Sequence, residues 1–391
     1  METTLKLYDE NAYATEFTAT VLACEERGEA VCLYLDRTLF FPEEGGQYPD
    51  KGTIDGYEVS DVQIKKDVIR HTLTGNQEEM LKHFRPGITV EGKIDFARRY
   101  DYMQQHSGEH VLTGLIYNEY KYANVGFHLS DDIVTMDVEG PLTREQLNGL
   151  ELKANEIVRS NRKITAEYPD AQTLKDTFYR SKIEIDGPVR LVTIENHDVC
   201  ACCAPHVAYT GEIGQIHIVK AENYKGGMRL EIKCGGRAIK QAQSYRQLVN
   251  ELSSLLSANA ETMCDAVKRL QQELSAHKEK IARMQEEKLG LLLAEVRPQE
   301  DNVFFLEDVD PNAVRNLVNQ MMEMTEGVAA CFIKVEEGAY RYIIGSKSVD
   351  VTTIQAVLKE QGNAKGGGNA KMIQGTVYGE PEKIKGMCVR V

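Results

Sequence analysis

Residues 95–120 read DFARRYDYMQQHSGEHVLTGLIYNEY, and within them Tyr102, His106, His110 and Leu115 recur at helical spacing. The stretch predicts one helix that carries two histidines. Positions four apart project from successive turns of one face, so His106 and His110 can converge on a single ion. A lone H-x3-H also arises by chance, and its histidines are then ordinary core or solvated groups. The decision rests on what flanks the helix.

Upstream, residues 1–90 read as strands and turns. VLACEERGEAVCLYL (21–35) is two β-rich runs about a Glu-Arg-Gly turn, and TLFFPEEGGQYPDKG (38–52) is punctuated by Pro and Gly. A small N-terminal β-barrel is expected. Downstream, LTREQLNGLELKANEIVRSN (142–161) is an amphipathic helix with Thr143 as its N-cap, and residues 164–234 return to short strands, so the middle region is α+β.

In that middle region DVCACCAPHVAYTGEIG (198–214) offers Cys202-x3-His206. A thiolate with imidazoles is a usual zinc set, and His106, His110, Cys202 and His206 would make a closed tetrahedron. Pro205 disfavours helix around it, which places the second pair on a loop between strands. Cys200 and Cys203 are spare, read as small buried hydrophobes, although Cys200 lies close enough to replace Cys202. HSGEH also fits the H-x-x-E-H pattern of inverted zinc peptidases, whose glutamate activates water, but no downstream carboxylate stands out to complete that shell. Glu109 is either a base or a solvated helix residue.

Between Val249 and Leu291 apolar residues step by threes and fours, with Asn259, His277 and Lys288 interrupting. A continuous helix there would be on the order of 65 Å long and would serve as a coiled-coil arm, either a spacer or a dimer seam. Pro298 ends it. Residues 301–391 alternate helix and strand as a compact α/β or α+β domain, and the run NAKGGGNAKMIQG (363–375) reads as a tight functional loop. Four domains follow: 1–90 barrel, 91–240 zinc-bearing core, 241–297 arm, 298–391 C-terminal domain.

Composition narrows the function classes. At 391 residues, with 42% hydrophobic residues and no apolar run of membrane-spanning length, the chain reads as a soluble cytoplasmic protein of several domains. The start METTLKLYDENAY lacks a secretory pattern, and nine cysteines are too sparse for a disulfide scaffold. A net charge of −14 excludes broad nonspecific nucleic-acid binding and confines any RNA contact to basic strips.

The segments TLFFPEEGGQYPDKG, RRYDYMQQHSGEHVL, CCAPHVAYTGEIG with KGGMRLEIKCGGRA behind it, and AKGGGNAKMIQG, in this order, resemble the editing half of alanyl-tRNA synthetase. More closely they resemble its free-standing AlaX relatives. The resemblance covers essentially the whole chain. It implies a long AlaX form without the synthetase's aminoacylation domain, ending in a C-terminal domain of the type associated with DHH phosphoesterases. It implies zinc on His106, His110, Cys202 and His206, and hydrolysis of the ester joining serine or glycine to tRNA for alanine. Departures are HSGEHVL where the family commonly has HTAQHLL, and CCAPH for CGGTH, which touch the choice of amino acid rather than the ligand positions.

On that reading the Thr38 hydroxyl and Gln47 amide are expected to hydrogen-bond a serine side chain. Gly45 and Gly46 would let the backbone approach a small substrate, and Glu109 would place an acid near the metal. Zinc either activates water or positions the ester; four protein ligands favour positioning. For tRNA contact the expected residues are Arg98 and Arg99 beside the metal helix, then Lys225, Arg229, Lys233 and Arg237. In the C-terminal domain they are Lys365 and Lys371 around Gly366, Gly367 and Gly368. A homodimer would form through the arm or the C-terminal domain. The rivals are a zinc metallopeptidase and a non-enzymatic RNA-binding protein with structural zinc.

Overall fold

The computed structural model describes residues 3–181 and 187–389, which fall into two compact units, 1–250 and 251–391. In the first unit alternating apolar residues build six strands: β1 (Glu16–Arg27), β2 (Ala30–Leu35), β3 (Gly52–Ile54), β4 (Tyr57–Lys65), β5 (Val68–Thr74) and β6 (Thr89–Ile94). They pair antiparallel in the ring β1-β2-β5-β4-β3-β6 and back to β1, a closed barrel with no free edge. The inward set, Val21, Val31, Leu33, Leu35, Ile54, Val59 and Val90 among them, is fully withdrawn from solvent. Each such side chain contributes roughly 1.5–3 kcal/mol of burial.

Asp95 caps the next element by accepting the Arg98 N–H, and α1 (Phe96–Tyr120) runs from there to Lys121, whose φ of 60° ends the helix in the left-handed region. α1 packs against a four-stranded antiparallel sheet, β12-β13-β8-β7, formed by β7 (Asn124–Leu129), β8 (Val134–Val138), β12 (Ile216–Tyr224) and β13 (Gly227–Cys234). Gly108 makes that approach possible, since a Cβ there would collide with the Cys234 sulfur. Helix α2 (Arg144–Arg159) starts with the expected Thr143 cap, closed into a capping box by Gln146. A smaller sheet, β9 (Ile164–Glu167), β10 (Leu191–Ile194) and β11 (Asp198–Ala201), brings the cysteine-rich segment alongside α1.

The long arm differs from its expectation. Helix α3 (Gly235–Leu256) stops, and α4 (Met263–Leu293) starts afresh after a break at 257–262. Ser257 takes φ 48°, and the Asn259 side chain accepts the Thr262 N–H at 2.9 Å. In the run SANAET, short polar side chains offer the backbone local partners in place of helical ones. Periodicity does not register such a competition, so the apolar spacing on either side reads as one stripe.

In the second unit the C-terminal end of α4 packs on α5 (Pro311–Met324), with Leu289, Val314, Leu317 and Met321 buried together. The sheet order is β14-β15-β16-β18-β17, from β14 (Asn302–Leu306), β15 (Ala329–Glu336), β16 (Ala339–Gly345), β17 (Lys365–Gly368) and β18 (Met372–Tyr378), with α6 (Thr352–Gln361) against it. The glycine run is therefore an edge strand and not a loop. Gly366 and Gly368 must be glycine because a Cβ on either would run into the backbone of β18. Among the described residues no helix is long and apolar enough to cross a membrane.

Candidate metal centre and cleft

His106 and His110 leave α1 one turn apart, with ring centroids 5.3 Å from each other. Facing them, residues 202–209 form an irregular segment after β11, and there Cys202 and His206 complete a group of four. One donor atom from each residue lies within 4.8 Å of every other, and the four can hold a metal ion. Cys202 Sγ is 3.5 Å from His106 Nε2 and 3.3 Å from His206 Nε2. Tetrahedral ligands at 2.0–2.3 Å from zinc stand about 3.5 Å apart, so these two separations fit a coordination shell.

Hydrogen bonds behind the donors set their orientation. The Gln47 carbonyl oxygen lies 2.8 Å from His106 Nδ1, which fixes the proton there and leaves Nε2 to ligate. Ser107 Oγ sits 3.0 Å from His206 Nδ1 and also accepts the Val207 N–H, tying the loop to the helix. Burial, with the Arg190 charge as a lesser cause, pulls His206 down to about 3 and keeps the imidazole in its neutral, ligating form. Arg190 holds the same loop through the carbonyls of Cys202 and Ala204 at 3.2 and 2.8 Å. Nothing in its sequence setting singled it out, because its role is to satisfy backbone carbonyls brought close only by folding.

The cluster lies on the wall of a cleft of about 1190 Å³ that Gly45, Gly46, Glu109, Asn124 and Arg180 also line. The Gly-Gly turn docks on β7: Leu129 donates to the Gly46 carbonyl at 2.8 Å, and Gly46, at φ +86°, has no room for a Cβ beside the Phe127 carbonyl. Docking carries Gln47 to His106, and Gln47 is buried there outside the lining of the cleft. Thr38 does not line the cleft. It is fully buried, 2.9 Å from His71 Nε2, and accepts the Phe40 N–H, so the expected contact with a serine side chain is corrected.

Glu109 is 2% exposed, accepts a hydrogen bond from Asn124, and stands 3.8 Å from His110 Nε2. It is not a solvated helix residue. Thr113, one turn on, accepts from Arg180, whose guanidinium is clamped by Asp198. Burial pushes the Cys200 thiol up to about 12 and raises Cys203 further, which leaves both protonated beside the four donors.

Residues 189–231, which carry Cys202 and His206, match the domain family described as the threonyl and alanyl tRNA synthetase second additional domain. Over 396 aligned residues the chain is 29% identical to the alanine–tRNA ligase of Ignicoccus hospitalis, covering 97% of this chain and 42% of that protein. For the ligase of Methanopyrus kandleri the figures are 29% over 398 residues, 96% and 42%. Over 286 residues it is 30% identical to the alanyl-tRNA editing protein Aarsd1 of Bos taurus, covering 67% of this chain and 61% of that protein. The chain thus spans less than half the length of the two ligases.

The chain is AlaX-like, related to the editing domain of alanyl-tRNA synthetase.

The basic residues of the AlaX-like chain divide by what already holds them. Arg99 is completely buried and forks onto Asp50 while donating to the carbonyls of Leu39 and Ala12, so it belongs to the seam between barrel and helix and offers nothing to RNA. Arg98 bonds Asp131 and the Pro49 carbonyl, and Arg237 grips Asp101 and the Ser130 carbonyl; their side chains are 11% and 12% exposed. Arg229 pairs with Asp137 over the Tyr224 ring, and Lys233 donates to Gln241. Lys225, Lys365 and Lys371 are exposed, as are Gly366, Gly367 and Gly368. Charge in sequence does not reveal which cations are already committed to internal carboxylates, and here all four arginines expected at the RNA are.

Proposed function

We propose that the chain hydrolyses the ester of mischarged tRNA for alanine, removing serine or glycine, with zinc held by His106, His110, Cys202 and His206. The observation that carries this reading is the four-donor cluster set in the wall of a cleft large enough for an aminoacylated nucleoside. Thiolate with three imidazoles suits zinc over magnesium or calcium. The names of the relatives, alanine–tRNA ligase and alanyl-tRNA editing protein, supply the substrate class.

Bound there, zinc would supply a Lewis acid that positions the ester. The chain's own groups do the rest. Gln47 and Ser107 hold two of the imidazoles in one tautomer, which preorganises the site before substrate arrives. Gly45 and Gly46 bring bare backbone to the cleft and favour a small amino acid. Glu109 places a carboxylate at the cleft wall beside His110, where it faces the reacting end of the substrate. In the reaction water adds to the ester carbonyl, the C–O bond to ribose breaks, and the ribose hydroxyl recovers the proton.

The peptidase alternative draws no support from the second half of the donor set, where Cys202 and His206 stand in place of a carboxylate ligand. A deacylation assay with seryl-, glycyl- and alanyl-tRNA for alanine tests the proposal. Native protein is expected to release serine or glycine and spare alanine, and Cys202→Ala and His106→Ala to lose that release. Intact ester on every charged tRNA would refute it.

A further inference from the structure

A second cavity of about 220 Å³ opens beside the metal cleft, and the two share Asn124, Arg180, Ser181 and Cys200 in their walls. Its remaining walls are Ala123 and three aromatic rings. Tyr117 and Phe178 stack with ring centroids 6.1 Å apart and an interplanar angle of 25°, and Tyr179 stands next to them. Tyr117 is seven residues beyond His110 on α1, hence on the same face and about 10 Å farther along the axis. Phe178 is 73% exposed, a large flat surface kept in water at the cavity rim. The Lys121 ammonium lies 5.4 Å from the Tyr117 ring centre and brings a positive charge to this side of the helix.

Flat rings at the rim, polar groups toward the cleft and a nearby cation match one chemistry: a nucleobase followed by a phosphate. Aromatic side chains take bases on their faces whatever the sequence, and a neighbouring lysine meets the backbone. The Arg180 and Asn124 side chains on the shared wall are already held by Asp198, Thr113 and Glu109, so the exposed ring faces carry the recognition. We propose that this cavity receives the base of the tRNA's terminal nucleotide, stacked on Phe178, while its esterified amino acid faces the metal cluster. This rests on the deacylase reading for the identity of the ligand, and the cavity gives that reading a direction: base at Tyr117 and Phe178, ester at His106 and His110. Phe178 and Tyr117 are then binding residues that act on KM.

The chain contains no tryptophan, so Phe178→Trp introduces a single indole whose emission reports on the cavity. Titration of this variant with the trinucleotide CCA should quench the emission, and leucinamide should not. Absence of quenching by CCA, or equal quenching by leucinamide, would overturn the base site. In the deacylation assay Phe178→Ala should raise KM on the order of 10- to 100-fold, with Phe178→Tyr restoring it; a native KM in Phe178→Ala would count against the proposal. Quenching by CCA without deacylation of any charged tRNA would leave the base site standing and remove the deacylase reading. Deacylation without quenching would do the reverse.

Discussion

Arg99 shows how far a residue's type can mislead about its work. Beside Arg98 at the start of the metal helix it reads as an RNA contact, yet it is the largest fully buried side chain and its partner Asp50 is 1% exposed. Arg99→Ala leaves that carboxylate buried and uncompensated, and the expected loss is about 3–5 kcal/mol of stability. Urea unfolding measures it; a variant as stable as native, with weakened tRNA binding, would return Arg99 to the RNA interface. His71 makes a second case. Burial pulls it from an ordinary 6.5 down to about 4, so the folded imidazole stays neutral where the unfolded one takes a proton. Between about pH 6.5 and about pH 4 the unfolded chain binds more protons, and stability falls as pH falls; outside that window this group contributes no slope. At 1.36 kcal/mol per unit the loss is at most roughly 3 kcal/mol. His71→Gln, which keeps polar contacts to Thr38 and the Leu33 carbonyl, should flatten that part of the dependence when unfolding midpoints at neutral and acid pH are compared at equal metal content. An unchanged slope would contradict it.

Elements with strong periodicity were legible in the sequence. The metal helix, the capped helix beginning at Arg144 and the paired β-runs about the Gly28 turn all follow from spacing and capping chemistry. The two halves of the donor set were legible as candidates, because H-x3-H and C-x3-H spacing marks side chains that can converge on one ion. Contacts between distant elements were not legible. The PEEGGQ turn reads as a substrate wall, and Gly45 and Gly46 do line the cleft; that its docking on β7 also delivers Gln47 to His106 was not legible. Thr38 turned inward to His71, the arm broke at SANAET, and the glycine run joined a sheet edge, each decided by partners remote in sequence or by local side-chain competition. Gly46 tests the turn's role. Its positive φ and its closeness to the Phe127 carbonyl leave no place for a methyl group, so Gly46→Ala should displace the turn, and with it Gln47. Loss of a hydrogen bond behind a metal ligand typically costs 10- to 100-fold in metal affinity, and a zinc-chelator competition titration reads that change. Native affinity in Gly46→Ala would mean that Gln47 does not hold His106 in solution.

Across the whole molecule, a barrel turn, a helix and a strand-borne loop from the first unit meet at one cluster, and the second unit presents an exposed glycine strand flanked by Lys365 and Lys371. With a net charge of −14, and with Arg98, Arg99, Arg229 and Arg237 each paired to a carboxylate, a proposed RNA contact falls to a few points and not to a broad face. Ester cleavage at the proposed His106, His110, Cys202 and His206 site ties activity to the metal. The most direct test is release of serine from seryl-tRNA for alanine by protein whose zinc content is measured as prepared, after chelation, and after zinc is returned. Release that vanishes with the metal and comes back with it is the predicted result; undiminished release from metal-free protein would contradict the account.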